Sequence, residues 1–451
     1  MRKFALSAAV KAVGGRYFGP EEKLNASVAS VSTDSRNIGQ GTLFFAFTGA
    51  RVDGHDFMAD CLRRGAVCCV SEREPKDESE MPCIVVDSTL TAIGALASFY
   101  RGLFDIPVIG ITGSVGKTTT KEMIAAVLSR RFRTHKTQKN FNNELGVPRT
   151  LLSMPEDTEV AVVEMGISGF GEMTRLTRMV RPTAAVFTVI GDSHLEFLGD
   201  RAGVLRAKTE IFDSMNPETG LAVFNGDDAY LRGFDSPVKT VYYGRGAGND
   251  LTAGEAENLP GGGMRLQIQY ADGSFTATVS AFGNHLIYAM LAAAAVGKAL
   301  GMTDAEIAAG IADYETVGNR ARLIDAGKFT ILSDCYNANP NSVASAVDSL
   351  MTLPGRKVCI LGDMLELGEN SAELHRRTGE YAAKAGVDLV IGCGKISKHT
   401  AEGAGEKALW FAEKAELMQK LPELIQPGDC VLVKASHSMA FEDFVDALQK
   451  L

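Results

Sequence analysis

The stretch Val108-Ile109-Gly110-Ile111-Thr112-Gly113-Ser114-Val115-Gly116-Lys117-Thr118-Thr119-Thr120 constrains this chain more than any other. Residues 106–111 form an apolar run that reads as a buried strand, broken after Thr112 by a glycine-bearing turn. The chain resumes as a helix, with Met123, Ile124, Val127 and Leu128 at helical spacing. Strand, loop and helix in that order make a phosphate cradle, because the loop N–H groups and the helix N-terminus face an anion together. Lys117 adds a point charge for the outer phosphates, and Thr118 places a hydroxyl where the Mg2+ of a nucleotide would sit. Ile111 replaces the first glycine of the strict G-x-x-x-x-G-K-[ST] pattern, so what stands is G-x-x-G-K-T. The alternative is a glycine-rich helix start that binds nothing; the expectation is ATP.

A chain of 451 residues exceeds what one core organises, so roughly two to four domains are expected. Hydrophobic content of 45% and charged content of 22% fit a soluble globular protein. The net charge of -9 argues against nucleic acid or an acidic membrane as the main partner. The histidines and cysteines are scattered, without a C-x-x-C pair or an H-x-x-x-H. Cys68 and Cys69 sit in an apolar run and read as buried free thiols of a reducing cytoplasm. The apolar residues 4–10 mimic a signal peptide, but Lys11 cuts them short and no A-x-A site follows. The longest apolar stretch, 286–297, is too short to span a bilayer.

Residues 1–104 alternate short apolar runs (42–47, 66–70, 84–86) with helix-like segments such as 57–64, a small α/β domain. Within it, Asp34 and Arg36 read as an ordinary surface pair. The second unit, 105–316, opens at the phosphate loop. Its block 139–148, rich in amides beside Gly and Pro, reads as a loop that hydrogen-bonds a ligand or itself. One strand ends on Glu164, and another, 184–190, runs into Gly191-Asp192-Ser193-His194. In a parallel sheet these ends emerge where the phosphate loop emerges, which favours metal binding for Glu164 and His194. Lys208, on a helix over 205–212, reads by itself as a solvated lysine. Residues 220–225 give a further strand, 244–263 a glycine-rich loop, 264–279 a hairpin around Asp272-Gly273, and 286–300 an Ala-rich helix. The third unit, 317–451, alternates strands at 331–334, 358–361, 389–391 and 431–433 with helices, a second open α/β sheet. Asn339-Pro340 reads as a helix cap with proline at the first helical position.

Taken together, the motifs resemble those of the Mur ligases, and the resemblance covers all three units. It rests on Thr112–Thr119, the 140–148 block, Glu164, His194 and Ala207-Lys208. It rests further on Asp334-Cys335-Tyr336-Asn337-Ala338-Asn339-Pro340-Asn341-Ser342 and on Leu361-Gly362-Asp363-Met364-Leu365-Glu366-Leu367-Gly368 with His375 downstream. The last two blocks are similar to those of the members that add D-alanyl-D-alanine to UDP-N-acetylmuramoyl-tripeptide. The D-[ND]-P-R motif of the diaminopimelate- or lysine-adding members is not found at 337–341.

The resemblance implies an α/β, three-domain architecture: a small N-terminal α/β domain, a central P-loop ATPase-like parallel sheet and a C-terminal Rossmann-like domain. It implies a monomeric, cytoplasmic amide ligase of peptidoglycan precursor synthesis that uses ATP and Mg2+ and passes through an acyl phosphate. The N-terminal unit would hold the UDP-sugar end, with Ser35 and Arg36 in its signature, and the C-terminal unit would bring the amine. The metal positions map onto Thr118, Glu164, His194 and Lys208, the last as a carbamate; Lys117, Glu164, His194 and Lys208 carry catalysis. The nucleotide positions map onto Gly113, Ser114, Val115, Gly116, Lys117, Thr118, Thr119, His285, Arg320 and Asp334. Substrate contacts map onto Asn142, Asn143, Asn337, Asn339 and Ser436. Departures are Ser168 and Gly169 where Asn and His are common, Leu286 and Ala289 where Asn is frequent, and Ala435 and His437 in place of Gly and Arg. The rivals are a folylpolyglutamate synthase or another Mur ligase, and, outside the family, a nucleotide-binding regulatory protein without catalysis.

Overall fold

In the computed structural model, which describes residues 1–49, 52–75, 81–259, 263–281, 283–316 and 321–451, the strand Val108–Thr112 lies inside a nine-stranded sheet. Across the sheet the order is Gly273–Val279, Gly263–Tyr270, Leu251–Leu259, Lys239–Gly244, Leu221–Asn225, Ala184–Phe187, Val108–Thr112, Val160–Glu164 and Thr134–Lys136. Every pairing from Lys239–Gly244 to Thr134–Lys136 is parallel. Val108–Thr112 is flanked on one side by strands that follow it directly and on the other by strands that come later. The strand order therefore reverses beside it, and such a switch point opens a crevice at the carboxyl ends of the strands. Val108 is buried on one face, Ile109 and Ile111 on the other, which explains a continuous apolar run instead of an alternating one.

The helix Lys117–Leu128 packs with His285–Ala299 and Asp304–Ala312 on one face of this sheet. The alanines 292–295 are buried there, and a Cβ on Gly310 would collide with Val127 Cα, so small residues permit the close helix contacts. The hairpin expected over 264–279 is present as Gly263–Tyr270 against Gly273–Val279. The loop expected over 244–263 is corrected. Leu251–Leu259 is a strand, antiparallel to Gly263–Tyr270 and parallel to Lys239–Gly244, with a register shift between Ala253 and Ala256. Its Gly, Glu and Asn residues disfavour a strand locally; pairing on both sides supplies what propensity does not.

The N-terminal sheet has the order Arg16–Phe18, Cys83–Val85, Ala66–Ser71, Thr42–Phe45, Ser30–Ser32. It is joined to the central unit through a shared core, in which Leu6, Phe45 and Leu96 belong to the same cluster as Leu151, Val163 and Leu176. Tyr100 donates from its hydroxyl to Met154 O at 2.7 Å, and buried Arg101 donates to Val180 O at 3.0 Å. The C-terminal sheet, Arg322–Asp325, Thr330–Ser333, Cys430–Lys434, Lys357–Gly362, Leu389–Cys393, Ala408–Phe411, carries separate cores on its two faces. It meets the central unit through a seam of polar contacts. All eight cysteines are free and buried, as read for Cys68 and Cys69. Among the described residues no helix is long and apolar enough to cross a membrane.

Candidate active site between the central and C-terminal units

The phosphate loop owes its shape to two glycines. Gly113 (φ 141°) and Gly116 (φ 85°) adopt backbone angles that L side chains rarely reach, and a Cβ at Gly113 would strike Thr188 Oγ1. The loop is tied to the end of the neighbouring strand. Ser114 N–H donates to Val189 O at 2.8 Å, its hydroxyl donates to Gly191 O at 3.1 Å, and it accepts from Gly191 N–H at 3.0 Å and from the Ser193 hydroxyl at 2.8 Å. Lys117 donates to Gly113 O at 2.7 Å, so its ammonium lies over the loop.

Thr118 donates to Glu164 Oε2 at 2.9 Å, and Asn142 donates to Glu164 Oε1 at 2.8 Å. Glu164 is 1% exposed. Behind it the buried Lys121 pairs with Glu122 at 2.8 Å, lies 3.9 Å from Glu164 Oε2 and donates to Thr137 O at 2.9 Å. Thr137 in turn accepts Glu164 N–H at 3.0 Å, which fixes the strand end. Nothing in the sequence pattern marks Lys121; only the burial of its helix on nearly every side could have signalled it.

His194 starts the short helix Leu195–Leu198 in a left-handed conformation (φ 53°), and Glu366 of the C-terminal unit lies 2.7 Å from its Nδ1. Lys208 is not the solvated lysine that its helix alone suggests; it is 1% exposed on Arg201–Thr209. Burial, and then the Lys117 charge, push its amine well below the usual lysine range. Burial, and then Lys208, lower the His194 imidazole, against the opposing pull of Glu366. Three nitrogen bases thus converge where among the described residues no acid pairs with Lys208, a field that calls for anions.

The facing edges of both units enclose a cavity of about 360 Å³. Ser114 to Thr119, Asn142, Asn143, Glu164, His194 and His285 line one wall; Asp334, Asn337, Asn339, Ser342 and Lys434 line the other. Burial lowers the His285 imidazole, and Asp334 opposes that shift. Several side chains also hold the walls. Asn143 accepts Gly146 N–H at 2.9 Å, Asn339 caps the helix Pro340–Met351 through Ser342 N–H at 2.9 Å, and Asn337 accepts Ala338 N–H at 2.9 Å. Asp334 is paired with Lys434, which also donates to Asn337 O at 2.8 Å.

The remaining expected residues lie elsewhere. Ser436 is buried and accepts Leu365 N–H at 3.0 Å, outside the cavity lining. A second cavity of about 410 Å³ between the N-terminal unit and the 140–148 block is lined in part by Ser32, Asp34, Asn37, Phe141 and Arg149, the chain neighbours of Ser35 and Arg36 among them, while Ser35 and Arg36 themselves are outside its lining. Arg36 holds Asp34 through two bonds of 2.9 and 2.8 Å and lowers its carboxyl to about 2, the surface pair read from the sequence. Arg320 lies outside the described residues. Leu286 and Ala289 are buried in the central core. His375 serves the fold: its Nε2 accepts Met364 N–H at 2.9 Å and its Nδ1 faces Ser371 O at 2.7 Å.

For Mg2+, the donors fit. Among the described residues no group of three His, Cys, Asp or Glu side chains forms a ready metal cage. A buried carboxylate touching a threonine hydroxyl beside a phosphate loop suits a hard cation that takes its other ligands from water and phosphate.

Three family models match the chain: "Mur ligase family, catalytic domain" over residues 27–101, "Mur ligase middle domain" over 111–297 and "Mur ligase, glutamate ligase domain" over 319–437. The UDP-N-acetylmuramoyl-tripeptide–D-alanyl-D-alanine ligase of Escherichia coli K12 is 37% identical, covering 100% of this chain and 99% of that protein. The ligase of the same name from Bacillus subtilis 168 is 37% identical over 93% of each. A crystal structure of MurF from Acinetobacter baumannii superposes with a TM-score of 0.92 at 30% identity over 100% of both chains. MurF from Thermotoga maritima, in complex with ADP, gives 0.83 at 29% identity over 94% and 97%. A folylpolyglutamate synthase from Mycobacterium tuberculosis, at 16% identity and a TM-score of 0.63, shares the fold alone. The three-unit α/β architecture and the phosphate loop at its centre are therefore inherited together: the chain belongs to the Mur ligase family.

Proposed function

We propose that this chain joins D-alanyl-D-alanine to the terminal carboxylate of UDP-N-acetylmuramoyl-tripeptide, with ATP converted to ADP and phosphate. The observation that carries the reading is one cavity walled by the phosphate loop and Glu164 on one side and by the Asp334–Ser342 block on the other. The names of the relatives supply the substrates.

A carboxylate resists an amine because its oxygen leaves poorly and its charge repels attack. Transfer of the γ-phosphoryl group to a carboxylate oxygen breaks the bond to ADP and gives an acyl phosphate. The neutral amine then forms the C–N bond, and the C–O bond to phosphate breaks. Phosphoryl transfer depends on position and charge neutralisation more than on covalent help. Lys117 and the loop N–H groups hold the phosphates; Thr118 and Glu164, with His194 and Lys208 nearby, would hold Mg2+. When bound, Mg2+ neutralises the charge that builds on the phosphoryl oxygens. Lys208 acts as a carbamate, formed when its neutral amine adds to CO2 with loss of a proton; its burial and its depressed pKa support this.

The units are taken as 1–104 for the UDP-sugar, 105–316 for ATP and 317–451 for the amine. Buried free thiols support a cytoplasmic location.

Phosphate release is expected to require both the UDP-tripeptide and D-alanyl-D-alanine. Better turnover with D-alanine, meso-diaminopimelate or L-glutamate would assign the chain to another branch of the family. A subsidiary expectation concerns Ala435→Gly with His437→Arg. Ala435 is buried, while His437 is exposed beside Tyr336, ring centres 5.6 Å apart. The double variant should fold and change a Michaelis constant for a peptide substrate, not for ATP. Unchanged values for both peptide substrates would show that this segment does not touch them.

A further inference from the structure

Gly191 has no backbone reason to be glycine, since its φ lies outside the left-handed region. What it does have is a neighbour. The three atoms nearest to a Cβ there would all belong to the side chain of Asn341: Oδ1 at 2.5 Å, Cγ at 2.9 Å and Nδ2 at 3.5 Å. Asn341 belongs to the C-terminal unit, on the first turn of Pro340–Met351, and its Oδ1 accepts Asp192 N–H at 3.0 Å. The missing side chain of one unit is the space filled by a side chain of the other.

The same seam holds two further fits. A Cβ on Gly368 would lie 3.1 Å from Glu196 Cα, and Glu366 meets His194, both of them non-glycine residues at positive φ. Strained backbone persists where surrounding structure holds it, and here the two strained residues face each other across the seam. The residues around the contact reach the phosphate loop and the helix that carries Lys208. Gly191 N–H and O are both bonded to Ser114 of the phosphate loop, and Asp192 holds Arg201, on the helix of Lys208, at 2.8 and 2.7 Å.

We propose that Asn341 is a positioning residue for the ligase reaction: seated in the gap at Gly191, it docks the amine-bearing unit in register with the phosphate loop. Among the described residues the central and C-terminal units keep separate buried cores, with Leu195 packed against one from each, so a few directional contacts at the seam do much to set how they close. Misplacement by about 1 Å at such a seam lowers rates by about 100-fold, because the acyl phosphate and the amine are held by different units.

The inference rests on the ligase reading for its kinetic arm, and a double-mutant cycle tests it. Gly191→Ala should raise the Michaelis constant for D-alanyl-D-alanine about ten-fold or more while ADP affinity by calorimetry changes less than about two-fold. Asn341→Ala, which loses one hydrogen bond without a clash, should give a smaller rise. Because the added methyl group meets Asn341 first, the double variant should match Asn341→Ala alone. Multiplying defects, or a Gly191→Ala enzyme with an unchanged constant for the dipeptide, would overturn the proposal. If the wild type makes no amide, the ligase reading fails separately. Small-angle scattering with ADP then decides the docking: Gly191→Ala should be more extended than wild type, and equal profiles would overturn it.

Discussion

Lys117→Ala is expected to abolish turnover while the melting temperature stays within about 2 °C of wild type. The ammonium donates to Gly113 O at 2.7 Å, within a loop already fixed by Ser114 and Thr188. The loop keeps those other bonds without the ammonium, so stability changes little. The reaction loses the point charge on the transferring phosphoryl group, and removing one such stabilising group slows catalysis by about 100- to 1,000-fold. Turnover assays beside a thermal melt check this. Near-normal activity would remove the phosphate site, and a large fall in melting temperature would make Lys117 a structural residue.

Lys208→Ala is expected to lose most activity, to keep its binding of the UDP-tripeptide, and to regain part of the activity in acetate or formate. An ammonium buried to this extent, with no acid to pair with among the described residues, is costly by several kcal/mol, and it would repel Mg2+. Carbamoylation removes both problems by turning a cation into an anion with two hard oxygens, the donors that Mg2+ favours. In the variant, a small carboxylate occupying the space that the lysine side chain vacates would restore that charge. Wild-type activity should also fall in CO2-depleted buffer where the carbamate exchanges. Full activity of Lys208→Ala, or mass spectrometry showing a bare amine in a metal-loaded ternary complex, would contradict the carbamate.

Legibility in the sequence followed burial. The central parallel strands announced themselves as apolar runs because both of their faces are covered. The edge strands Arg16–Phe18, Ser30–Ser32, Arg322–Asp325 and Ala408–Phe411 were not legible: they are short and partly exposed, and their pairing is the main thing that makes them strands. Leu251–Leu259, nine residues long and paired on both sides, was hidden instead under glycine and polar residues. At the site, the phosphate loop was legible because its backbone geometry demands glycine at two positions. Lys208 was legible only through family resemblance, since a lysine on a short helix is ordinarily solvated and its burial comes from tertiary packing. Lys121, Glu366 and Asn341 act on partners far away in the chain, beyond any local pattern. Gly191 shows the limit most plainly, because its reason for being glycine lies in another unit, near enough to touch only after folding.

The most direct test of the ligase assignment is the mass and stoichiometry of the product. Incubation with ATP, Mg2+, UDP-N-acetylmuramoyl-tripeptide and D-alanyl-D-alanine should give a species whose mass is the sum of the two peptide substrates less one water, with one phosphate released per molecule formed. Phosphate release without that species, or a condensed product carrying a single amino acid in place of the dipeptide, would contradict it.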